Sequence, residues 1–203
     1  MKLVPWNLKL SYTLLAPFYD LLAGTAFASA RQASLAALPE NGRERVFLNG
    51  VGSGLDLPFL PRGHCYVGLD LTRAMLARSL KRAAGMEFSA VQGNSLALPF
   101  RDACFDHAVL HLILAVVPDA AAALAETARV VRPGGGILIF DKFLKRGQAA
   151  PLRRLLNPLA ARLVTRLDVE FEDILHRVPG LRVASDEPVA AGGWFRRIRL
   201  ERL

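Results

Sequence analysis

From residue 45 onward the chain alternates two hydrophobic patterns. Short apolar runs occur at residues 45–48, 65–69, 87–92, 108–112 and 136–140. Their length and their Val, Phe, Leu and Ile content read as buried strands. Between them, residues 73–84 and 120–130 read as helical stretches, rich in Ala, Leu and Arg. Pro133-Gly134-Gly135-Gly136 reads as a turn feeding the fifth strand. Strands alternating with helices imply an α/β fold with a doubly wound, mostly parallel sheet. Residues 181–184 and 194–200 read as closing antiparallel strands, the last one alternating apolar and basic positions as an edge strand does.

Two flanking segments depart from this alternation. Residues 1–38 are apolar and helical in pattern, with Trp6, Tyr12 and Tyr19 among leucines and Pro17 breaking the run into two short helices. This N-terminal helical cap either packs on the domain, closes a pocket or docks on a membrane surface. Residues 143–170 form a basic amphipathic insertion. Leu152, Leu155, Leu156, Leu159, Leu163 and Leu167 share one helix face, and Lys142, Lys145, Arg146, Arg153, Arg154, Arg162 and Arg166 all precede the next acid, Asp168. It suits an anionic membrane surface, or it packs by its leucines on the sheet with its arginines in water; the two can coexist. Without repeats or a long linker, residues 1–203 read as one domain.

Composition narrows the class. With 203 residues, 52% hydrophobic content and mean hydropathy +0.27, a mostly disordered chain is excluded. No apolar run reaches the ~18 residues of a membrane span, and no long apolar stretch follows Lys2, so a signal peptide is not expected. Cys65 and Cys104 read as small core residues of a protein in a reducing, cytoplasmic compartment. The net charge of +8 and pI near 10.2 favour an anionic partner or a solvated arginine-rich surface. His64, His107, His111 and His176 do not form a metal spacing, and no metal is expected.

The chemistry centres on Asn49-Gly50-Val51-Gly52-Ser53-Gly54, where a strand runs into three alternating glycines. Such a bend brings backbone N–H groups against a ligand, or is simply a tight turn. The spacing is not the dinucleotide Gly-x-Gly-x-x-Gly. Asp70 ends the next strand, where its carboxylate either accepts both hydroxyls of a ribose or caps the helix that follows. After the third strand, Asn94 with Ser95 either meets an adenine edge or makes an ordinary turn. His111 ends the fourth strand, as a base, a polar lining residue or hydrogen-bonded structure, the last being the commoner role of a lone His among apolar neighbours.

Taken with Gly68-Leu69-Asp70, Gly93-Asn94, Leu98-Pro99-Phe100, Phe105-Asp106 and Arg132-Pro133-Gly134-Gly135, this glycine turn resembles the class I S-adenosylmethionine-dependent methyltransferases of type 11, over about residues 12–145. Leu15-Ala16-Pro17-Phe18-Tyr19-Asp20, Gly54-Leu55-Asp56-Leu57-Pro58, Val116-Val117-Pro118-Asp119 and residues 140–166 are most similar to bacterial phosphatidylethanolamine N-methyltransferases, and several of these features are shared by quinone C-methyltransferases. The resemblance implies a Rossmann-like methyltransferase fold that binds S-adenosylmethionine through Gly50, Gly52, Gly54, Asp70, Leu71, Asn94, Ser95 and His111. Tyr19 would close the pocket at the methionine end, and Lys142, Lys145, Arg153 and Arg154 would hold a phosphate or the membrane. The acceptor is then a phospholipid headgroup amine, with peripheral contact on the inner membrane face. A quinone or other small molecule is the alternative, and nucleic acid is not expected. Two positions depart from the family. Leu48 stands where an acid usually holds the methionine ammonium, and Asn94 stands where another acid is usual. Losing one charged hydrogen bond costs on the order of 1.5–3 kcal/mol. A non-catalytic binding protein on the same fold is therefore a third reading.

Overall fold

The computed structural model describes residues 27–144, 169–190 and 193–203, without the side chain of Ala190. The predicted helices before residue 27, Tyr19, Lys145, Arg153, Arg154 and most of the basic insertion lie outside the described residues. The elements in order are α1 (Ala28–Leu35), β1 (Arg45–Asn49), β2 (Cys65–Asp70), α2 (Arg73–Arg82), β3 (Glu87–Gln92), β4 (Phe105–His111), α3 (Ala120–Val130), β5 (Val131–Lys142), α4 (Phe171–His176), β6 (Leu181–Ala190) and β7 (Phe195–Arg202). One seven-stranded sheet has the order β3-β2-β1-β4-β5-β7-β6. β1 to β5 are parallel, while β7 runs antiparallel to β5 and to β6.

Strand alternation sends successive side chains to opposite faces. On one face Phe47, Ala108, Leu110, Ile137 and Ile139 pack with Ala123, Leu124 and Ala128 of α3 and Phe171 of α4. On the other, Leu48, Val109 and Leu138 pack with Leu35 and Leu38, Leu57 and Leu76. The alanines of α3 allow close approach to the strands, and Asp119 caps the helix by accepting Ala122 N–H at 3.1 Å. Between β1 and β2 stands only a 3-10 turn, Leu57–Phe59, which Pro58 and Pro61 keep from lengthening. α1 therefore takes part in covering this face, and that carries two of its polar residues, Arg31 and Ser34, into the interior.

Several boundaries differ from the sequence reading. β4 starts at Phe105 and stops at His111. β5 starts at Val131, ahead of the glycine run; the turn residues are taken up in the strand, with a register irregularity opposite residues 105–107 and a positive φ at Gly134. β6 continues to Ala190 because its Pro188 lies on an edge, where a register shift absorbs the missing donor. Cys65 opens β2 and Cys104 precedes β4; both are half-buried and in no disulfide, and Cys104 packs against the core face that carries Phe47 and Phe105. Arg196 anchors the antiparallel part from a buried position. It pairs with Asp186 and with Glu172 of α4 at 2.7 Å, donates to Leu144 O at 3.2 Å and stacks on Phe171.

Candidate active site

The carboxyl ends of β1, β2 and β4 meet at the glycine turn, the place where open α/β sheets bind ligands. Gly50 and Val51 both donate to Leu69 O, at 2.9 and 3.0 Å, which locks the turn onto β2. Gly50, Gly52 and Gly54 all have positive φ. They differ in what surrounds them. A Cβ on Gly50 would strike Ile113 Cδ1 at 2.7 Å, and one on Gly54 would strike Leu57 Cδ1 at 2.7 Å and Ser79 Cα at 3.0 Å. From a Cβ on Gly52 the nearest heavy atom among the described residues is Gly50 O at 4.0 Å, so among them this glycine alone of the three faces open space.

Asp70 is turned toward that turn. Its Oδ2 accepts Gly52 N–H at 3.1 Å, and its Oδ1 accepts Thr72 N–H at 2.9 Å and Thr72 Oγ1–H at 3.2 Å. The carboxylate thus both shapes the glycine turn and holds the start of α2. Burial raises its pKa, and these donors partly oppose the shift. Leu71 beside it has its carbonyl bound by Gln92 Nε2 at 3.1 Å.

The third loop is built more tightly than expected. Asn94 Oδ1 accepts Leu96 N–H at 3.0 Å, an Asx turn. Asn94 is half-buried, and this bond leaves its amide N–H₂ as the group it can offer a ligand. Ser95 is buried and donates its hydroxyl to Asn49 Oδ1 at 2.6 Å, while Asn49 Nδ2 donates to Thr127 Oγ1 at 2.9 Å. The side chain of Asn49 at the tip of β1 is therefore committed to the fold. Leu48 is buried with Leu35, Leu57 and Val109 and offers nothing to a charged ligand.

On the β4 side lies a buried polar chain. Asp56 Oδ1 accepts from Arg31 Nη1 at 2.8 Å and meets His111 Nδ1 at 2.8 Å, and His111 Nε2 meets Ser34 Oγ at 3.0 Å. Burial alone would raise the Asp56 pKa, but His111 and the Arg31 guanidinium outweigh it and hold the carboxyl well below its usual range. Of the three roles open to His111, the structure supplies hydrogen-bonded structure: both ring nitrogens are engaged inside the protein. Just beyond it, Leu112 takes φ +58, unusual for a branched side chain. It is held there by Phe140 O, which accepts its N–H at 2.8 Å, and Asp141 accepts Ala115 N–H at 3.0 Å in the same loop. Asp141 is fully buried, which pushes its carboxyl pKa up.

Sequence reasoning brought Gly50, Gly52, Gly54, Asp70, Asn94, Ser95 and His111 to one rim, and the structure gathers them there. It missed Arg31, Ser34, Asp56 and Asp141. Asp56 lies in the Gly54-Leu55-Asp56-Leu57-Pro58 stretch, but nothing in its spacing names its partners. Arg31 and Ser34 lay in a segment read for its apolar residues.

A protein-family profile for the methyltransferase domain matches residues 49–139. The chain is 31% identical over 192 residues to a phosphatidylethanolamine N-methyltransferase of Cereibacter sphaeroides, covering 91% of this chain and 92% of that one. The chain belongs to the class I S-adenosylmethionine-dependent methyltransferases. A demethylmenaquinone methyltransferase of Roseiflexus castenholzii is 37% identical, over 53% of this chain and 46% of that one. Among solved structures, a methyltransferase of Thermotoga maritima described as a possible histamine N-methyltransferase superposes with TM-score 0.73 over 98% of this chain and 100% of that one, at 20% identity, a likeness of fold. The open space at Gly52 and the Asp70 carboxylate beside it fit the adenosyl cofactor of this family. Among the described residues no helix is long and apolar enough to cross a membrane.

Proposed function

We propose that this methyltransferase transfers methyl groups to the headgroup amine of a phosphatidylethanolamine-like phospholipid, working from the surface of an anionic membrane. The near full-length similarity to the Cereibacter enzyme carries this reading. The match to the demethylmenaquinone methyltransferase spans less than half of that protein, so a quinone acceptor ranks second.

In this reading Gly50, Gly52 and Gly54 let the backbone approach the cofactor, Asp70 takes the ribose, and Leu71 and Asn94 line the adenine. Ser95 acts there through Asn49 rather than by direct contact. Asn94 donates its amide to a ring nitrogen, where an acid would have accepted from the exocyclic amine. S-adenosylmethionine supplies a methyl group already activated by its sulfonium. The protein's part is alignment and exclusion of water. An amine attacks only when neutral, and a desolvated site favours that form. Tyr19 closes this site, while Lys142, Lys145, Arg153 and Arg154 hold phosphate.

The test is incubation with methyl-labelled S-adenosylmethionine and a total lipid extract. Label in a methylated aminophospholipid is expected; label confined to quinones or to water-soluble products overturns the proposal. Sedimentation with anionic vesicles should weaken as salt rises and on charge reversal at Arg153 and Arg154.

A further inference from the structure

The tip of β1 carries no charge for a zwitterionic ligand: Leu48 is apolar and the Asn49 side chain is bound to Thr127 and Ser95. A charged pair stands close by. Asp56 follows Gly54 by two residues, and its partner His111 ends β4, the strand that pairs with β1 through Leu48 and Val109. Asp70 approaches the glycine turn from β2, so Arg31 and Asp56 stand at the turn's other flank. Arg31 is 5% exposed, yet among the described residues its Nε–H has no hydrogen-bond partner. A buried guanidinium donor without an acceptor is costly and rare. Among the described residues both bonds to the Asp56 side chain fall on Oδ1, and that side chain keeps 10% exposure. A buried cation with a spare donor beside a buried carboxylate is the complement of an α-amino acid, whose ends carry opposite charges.

We propose that Arg31 and Asp56 hold the amino-acid end of S-adenosylmethionine, Asp56 taking the ammonium and the Arg31 Nε–H the carboxylate. The pair does the work of the acid that Leu48 replaces. His111 and Ser34 position it: His111 fixes Asp56 Oδ1, and Ser34 orients the imidazole. The proposal rests on cofactor binding and not on the identity of the acceptor.

Calorimetry on the full chain compares S-adenosylhomocysteine with 5′-methylthioadenosine, which lacks the amino-acid end. The wild type should bind the first tighter by roughly ten- to a hundredfold, the effect of a charge-assisted contact. Arg31→Lys, which keeps the charge but has no Nε–H, and Asp56→Asn, which keeps the shape, should each lose most of that preference while binding 5′-methylthioadenosine as before. Melting without ligand checks that each variant is folded. Equal binding of the two ligands by the wild type overturns the proposal, and so does a folded variant that keeps the wild-type ratio. If the wild type binds neither ligand, the cofactor site itself fails, while a negative lipid assay with this preference intact removes the acceptor alone.

Discussion

The two flanks of the glycine turn are built on opposite principles. On the β2 side a half-buried carboxylate, Asp70, organises backbone N–H groups around open space at Gly52. On the β4 side four side chains, Arg31, Asp56, His111 and Ser34, are buried and bonded mainly to one another. The first arrangement leaves room for a ligand and contributes little to stability. The second is bound into the fold, because a buried ion that loses its partner keeps its desolvation cost. One rim therefore separates into a part that tolerates change and a part that does not.

The sharpest way to break this contrast is Asp56→Ala. It strands the Arg31 guanidinium in the interior, and removing one member of a buried pair costs about 3–5 kcal/mol. Thermal unfolding should fall by roughly 10 °C; a melting point near wild type would mean the pair is solvated. Acid acts on the same pair. The Asp56 carboxyl is depressed in the folded state, so its stabilisation is present above the unfolded carboxylate value of ~3.9 and lost as pH falls through the lower folded value. Asp70 has the opposite sign: burial disfavours its charge, and stability is lost as pH rises from the unfolded value through the raised one. Denaturant titrations of Asp56→Asn and Asp70→Asn across acid pH should diverge from wild type in opposite directions.

Next in size is Gly54→Ala. Its methyl meets Leu57 and the backbone of Ser79 at positive φ, so overpacking and strain together cost about 2–4 kcal/mol of stability, read by chemical denaturation. Asp70→Ala should cost about 1.5–3 kcal/mol in cofactor affinity, seen by calorimetry, and less in stability because Asp70 is only partly buried. Smallest for the fold is Gly52→Ala, with about 1 kcal/mol of backbone strain and no steric clash, yet a clear loss of cofactor affinity. Equal melting losses in Gly52→Ala and Gly54→Ala would erase the distinction between the open and the filled glycine.

The strand-helix alternation was legible because buried strands need short apolar runs, and β1, β2, β3 and α3 fall where those runs lie. The start of β5 was not, because Pro133 and the glycines after it carry turn propensity that pairing with β4 overrides. The site was legible where backbone geometry demands a residue type, as at the glycines, or where a strand end fixes an acid, as at Asp70. It was illegible where partners are distant in the chain. Ser34 meets His111 across 77 residues, and Arg31 meets Asp56 across 25.

By itself the sequence determined a parallel sheet with a glycine turn after its first strand and an apolar residue at the tip of that strand. Local spacing is enough for that, since periodicity and glycine conformation act within a few residues. Only the tertiary structure decided which glycine faces open space, that Ser95 turns to Asn49, and that a helix before the first strand delivers Arg31 to Asp56. Those outcomes depend on side chains meeting across the sheet end, and hydrogen bonds between distant residues leave no periodic trace in the chain.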